Sequence, residues 1–79
     1  MKGQYLPLNM VSPGRKVKLV AVRGGQGIRR RLNDMGLSIG AEFRIIHSHF
    51  FGPCIIAVDN TRLILGRGMS HKILVEDTS

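Results

Sequence analysis

Few side chains in this 79-residue sequence could do chemistry, and their spacing limits what it would be. His47 and His49 stand two apart, so on an extended strand they share one face. Cys54 follows across a loop, and His71 falls in a later turn. Imidazole and thiolate can hold zinc or iron. This set, however, lacks the Cys-x-x-Cys or His-x-x-x-His spacing of strong sites, and Fe(II) sites usually include a carboxylate. Phe43 and Ile45 have the same parity as His47, which suits a histidine at the rim of an apolar face. His47, His49 and Cys54 are therefore candidates only; the expectation is no metal site and no cofactor. There is no Ser/His/Asp or Cys/His arrangement at a recognisable spacing, and no paired carboxylates in an apolar setting. Glu42 and Asp59 flank strands and are expected in solvent. A domain this small also has little room for a closed pocket. The protein is expected not to be an enzyme.

A glycine run, Gly24-Gly25-Gln26-Gly27, precedes a helical segment and resembles a phosphate loop at first sight. No Lys-Ser or Lys-Thr pair follows at the required place, and Arg30 stands where a dinucleotide fingerprint would need glycine. These glycines are expected to release a strand into a helix. That helix, read from Gly27 to Met35, carries Ile28, Leu32 and Met35 at i, i+4 and i+7. Gly36 suits the left-handed residue that ends a helix, with Leu37 as the apolar residue after it.

Arg29, Arg30 and Arg31 fan around the face of this helix away from the apolar stripe. With the helix starting at Gly27 they lie in its first turn, where cations are disfavoured by about 0.3–1 kcal/mol. Asp34 can pair with Arg30 or Arg31 but cannot neutralise three charges. A charge held there at some cost points to an anionic partner; the plainer alternative is that the stems cover apolar wall and the heads stay in water. The partner reading is preferred. Phe50 and Phe51, two of three phenylalanines, precede Gly52-Pro53 in a loop. One ring is expected to fill the core mouth and the other to face out as a contact for a partner or a second copy.

The elements that must position these residues are short. Ser12-Pro13-Gly14 is a turn, Lys16 to Val22 a strand, Phe43 to Ser48 a second and Ile55 to Val58 a third. Asp59-Asn60 has hairpin-turn chemistry, Arg62 to Leu65 returns, Gly66 to Ser70 makes one turn, and Ile73 to Val75 closes. Five short strands with one short helix after the first favour a mostly β, partly open SH3-like barrel, a single domain over 1–79.

Composition agrees. Twelve Lys and Arg against five Asp and Glu give a net charge of +7, and the whole excess lies in residues 1–40, Lys2 included. Such asymmetry suits an acidic partner, whether protein, nucleic acid or membrane surface. No apolar run approaches the ~20 residues of a transmembrane helix, and no apolar segment follows Lys2 as a secretory signal would. The lone Cys54 cannot form an intramolecular disulfide, which suits a reducing cytoplasm.

The segment Arg29-Arg30-Arg31-Leu32-Asn33-Asp34-Met35-Gly36-Leu37-Ser38-Ile39-Gly40 resembles the FeoA signature, R-R-L-x-x-x-G-L-x-x-G. Asn60 through Val75 is similar to that family's last hairpin, short turn and closing strand, and Leu8 through Gly14 to its opening L-x-x-x-x-P-G. The resemblance implies an SH3-like barrel, a fold that recurs as the C-terminal module of iron-dependent repressors of the diphtheria-toxin-repressor type. It further implies a cytoplasmic accessory role in bacterial ferrous iron uptake, through contact with the membrane permease FeoB. Asn60 departs from the glycine common at its place, and Phe50-Phe51 makes the central loop unusually apolar. The expected function is thus a regulatory module docking through Arg29, Arg30, Arg31, Phe50 and Phe51, with a homodimer open. The alternative is a nucleic-acid-binding module using the basic helix; against it, the chain has one Tyr, no Trp and no stacking platform on a strand.

Overall fold

The computed structural model describes residues 5–79, so Lys2 and its flanks lie outside the described residues. The chain runs β1 (Tyr5–Pro7), a 3-10 turn (Leu8–Met10), β2 (Lys16–Val22), α1 (Gln26–Asp34), β3 (Glu42–His47), β4 (Cys54–Val58), β5 (Thr61–Leu65), α2 (Arg67–Ser70) and β6 (Ile73–Asp77). The strands form one antiparallel sheet in the order β1-β6-β2-β3-β4-β5. It is mostly β with a short helix after a long strand, as the sequence implies. One detail differs: a sixth strand, β1, pairs its Tyr5, Leu6 and Pro7 with Glu76, Val75 and Leu74. Strands β1 and β5 remain the two edges, so the sheet curls without closing fully, in keeping with a partly open SH3-like fold.

The core lies inside this curl. Val17 and Leu19 of β2, Phe43 and Ile45 of β3, Cys54 and Ile56 of β4, Leu65, Ile73 and Val75 point into it, joined by Leu8, Val11, Leu32 and Leu37. Alternation along β2 and β3 follows the period of two until each strand meets a bulge. In β3 the pairing passes from Ile45↔Ile56 to His47↔Ile55, leaving Ile46 as the extra residue. The bulge turns His47 out to solvent, away from the face it would share by parity with Phe43 and Ile45.

Helix α1 begins at Gln26, one residue earlier than its apolar pattern suggests, with Gly25 as a cap that contributes no side-chain bond. Its end follows the sequence closely. Gly36 adopts φ +87°, its N–H donates to Asn33 O at 3.0 Å, and the Leu37 N–H donates to Leu32 O at 2.8 Å. Those paired bonds satisfy two of the helix's last carbonyls, and the apolar pair Leu32 and Leu37 is buried beneath them. In the β4–β5 turn only Asp59 takes positive φ, at +54°, so Asn60 needs no left-handed backbone.

Candidate functional site

Two surfaces carry the residues singled out by the sequence, on separate parts of the fold. On α1, Arg29, Arg30 and Arg31 are all exposed, and among the described residues none makes an ion pair. Asp34 is not their partner. The acids that are engaged bind elsewhere: Arg15 Nη2 lies 2.7 Å from Asp77 Oδ2, and Lys16 Nζ lies 3.5 Å from Glu42 Oε1. The earlier helix start corrects the dipole argument. Arg31 falls in the last turn, where a cation is favoured, and the triplet as a whole lies past the first-turn N–H groups. The arginines therefore show unneutralised charge without helix strain. Arg29 also edges a shallow hollow of about 330 Å³ floored by Leu19, Leu32 and Leu37.

The second surface is a groove of about 490 Å³ between the 3-10 turn, the β3–β4 loop and α2. Phe50 and Phe51 form one wall, their rings edge to face with centroids 4.7 Å apart. Both rings face out, at 56% and 78% exposure, which corrects the expectation of one ring in the core. The curled sheet already closes over Phe43, Ile45 and Ile56, so no opening is left for either ring. The loop is tethered at two points instead. Ser48 Oγ donates to Val11 O at 2.7 Å, and Asn9 Nδ2 donates to Phe50 O at 3.3 Å. Met10, 58% exposed, stands on the facing wall, and Arg67 and His71 bound the groove from α2. Sequence reasoning missed Asn9, Met10 and Arg67, and weighed His71 only as a metal ligand. The only hint was a polar Asn9 next to core residue Leu8.

The candidate ligands do not converge. His47 and His49 are exposed and lie edge to face, centroids 4.5 Å apart, whereas Cys54 is wholly buried opposite Leu65. His71 Nδ1 lies 2.9 Å from Arg67 O; a carbonyl only accepts, so this nitrogen carries the proton. Among the described residues no three His, Cys, Asp or Glu side chains gather as a cation site would require.

A small curled, antiparallel sheet with a short helix defines an SH3-like domain. Comparison with known proteins places it more closely. Residues 6–77 match the FeoA domain model. A Methanocaldococcus jannaschii protein named "Putative Fe(2+) transport protein A" is 35% identical over 71 residues, covering 90% of this chain and 85% of that protein. The crystal structure of an iron uptake regulatory protein, FeoA, superposes with TM-score 0.84 at 35% identity, over 94% of this chain and 99% of that one. A manganese-dependent transcriptional repressor shares the fold alone: TM-score 0.85 at 18% identity, with 98% of this chain matching 44% of the repressor. The chain belongs to the FeoA family.

Proposed function

We propose that this protein is a cytoplasmic accessory protein of bacterial ferrous iron uptake that regulates a FeoB-type permease by docking on it, with no catalysis and no cofactor of its own. The family match along residues 6–77 carries the proposal, because the relatives it joins are named for ferrous iron transport and iron uptake regulation. The surfaces support it. Exposed Arg29, Arg30 and Arg31 suit an acidic face, and the Phe50–Phe51 wall suits an apolar contact. No helix among the described residues is long and apolar enough to cross a membrane.

Co-purification of the tagged full chain with the permease from detergent-solubilised membranes tests this. The wild type should retain the permease. A variant with Arg29→Glu and Arg30→Glu should lose most of it while melting at the wild-type temperature, since both side chains are exposed and neither is bonded among the described residues. A wild-type chain that retains no permease, at low salt as well as physiological salt, refutes the proposal.

A further inference from the structure

The groove holds one group that exposed apolar contact does not explain. Asn9 is 8% exposed; its Nδ2 donates across a long 3.3 Å to Phe50 O, and its Oδ1 is buried with no hydrogen-bond partner. Native proteins keep few buried acceptors unpaired, and each asks for a use. A leucine would fill the position without that penalty. The rest of the groove specifies the missing donor's company. Met10, Phe50 and Phe51 give it apolar walls, and among the described residues Arg67 is the only formally charged side chain on its lining. With His71 Nδ1 committed to Arg67 O, the free ring nitrogen is Nε2. At about 490 Å³ the hollow lies within the ~300–1,000 Å³ range of binding clefts.

We propose that this groove takes an extended segment of a partner protein in which a large apolar side chain neighbours a carboxylate. The apolar side chain packs against Met10, Phe50 and Phe51. The carboxylate pairs with Arg67, and a backbone N–H of the segment donates to Asn9 Oδ1. Because Oδ1 is buried, the groove lining over it must give way as the segment enters. The single long bond from Asn9 Nδ2 is the tether that loosens. This deepens the docking role of Phe50 and Phe51 and rests on it. Charge favours this occupant over a second copy, since the groove and the chain as a whole are both cationic.

The test is an NMR titration of the ¹⁵N-labelled full chain with an acetylated hexapeptide of alternating leucine and aspartate. Two controls replace leucine by serine or aspartate by lysine. The leucine–aspartate peptide should give saturable shifts at the Asn9 side-chain amide, Met10, Phe50 and Arg67, and each control should bind at least tenfold more weakly. Arg67→Glu, a surface change, should reverse the preference between the aspartate and lysine peptides. Asn9→Leu should melt at or above the wild-type temperature yet bind at least fivefold more weakly, which a merely structural asparagine would not do. Absence of saturable shifts, equal binding of the serine peptide, or shifts confined to α1 overturns the inference. So does concentration-dependent shifting of the groove without peptide, which would mean that a second copy fills it. No permease is present in this titration. A null titration beside intact co-purification therefore refutes the groove alone, and failed co-purification beside peptide binding refutes only the permease as partner.

Discussion

Gly27 and Gly36 lie in and just beyond helix α1, and at neither would a Cβ meet another atom within 4 Å. Sterics therefore drop out of a Gly→Ala change at both sites, and only backbone preference remains. Gly27 lies inside the helix, where alanine is better than glycine by up to about 1 kcal/mol; in the first turn roughly half of that is expected. Gly36 sits at φ +87°, where an L-residue costs about 1–2 kcal/mol. Alanine also narrows the unfolded ensemble, which offsets about 0.4–1 kcal/mol of that loss. The net expectation is about 1 kcal/mol of destabilisation for Gly36→Ala and about 0.5 kcal/mol of stabilisation for Gly27→Ala. For a domain of this size 1 kcal/mol moves the melting temperature by about 4–8 °C, so the two variants should melt on opposite sides of the wild type. Thermal and urea unfolding followed by far-ultraviolet circular dichroism reads both. The sites are separated by roughly 13 Å at helical rise, so the double variant should show nearly the sum. Gly36→Asn should lose less than Gly36→Ala, because asparagine tolerates the left-handed region. Shifts of the same sign, or a harmless Gly36→Ala, would refute the helix end described above.

Leu32→Ala removes a side chain 1% exposed beneath that helix end; a loss of about 2–5 kcal/mol should lower the melting temperature by at least about 8 °C, read by circular dichroism. Cys54→Ser should destabilise more than Cys54→Ala in urea melts, since a hydroxyl would be buried opposite Leu65 among apolar neighbours, and the native thiol should resist Ellman's reagent until the chain unfolds. The Ser79 N–H at 2.9 Å and the Arg15 guanidinium at 2.7 Å hold the Asp77 carboxyl below the ordinary aspartate range. The unfolded chain then takes up this proton first as pH falls. Its contribution is whole above about pH 4 and vanishes as pH drops through the folded value, so Asp77→Asn should flatten the acid limb of urea midpoint against pH.

Much of the fold is legible because its rules are local. Gly36 and Leu37 announce the helix end, and Val17, Leu19, Phe43 and Ile45 announce their strands by parity. The failures are also physical. Tyr5–Pro7 is three residues long and mostly exposed, so no apolar pattern marks it; pairing with β6 makes it a strand. Gly25 caps α1 without a side chain, which hides the helix start and misplaced the arginines by one residue relative to it. The bulge at Ile46 inverts the face of His47, and no local residue preference distinguishes Ile45-Ile46 from an unbroken strand.

The groove was the least legible feature because it exists only through topology. Its walls come from residues 7–10, 50–51 and 67–71, which no sequence window joins. Pairing of Pro7 with Leu74 places the 3-10 turn that follows β1 beside the α2 turn that precedes β6. The bond from Asn9 to Phe50 O, 41 residues away, then draws in the third wall. The same pairing explains why both phenylalanines can stay outside. The loop is held by polar bonds from Asn9 and Ser48 to backbone carbonyls, so its position does not depend on burying either ring. An apolar wall fixed without being buried is left available for a partner, and in this fold the availability arises from hydrogen bonding.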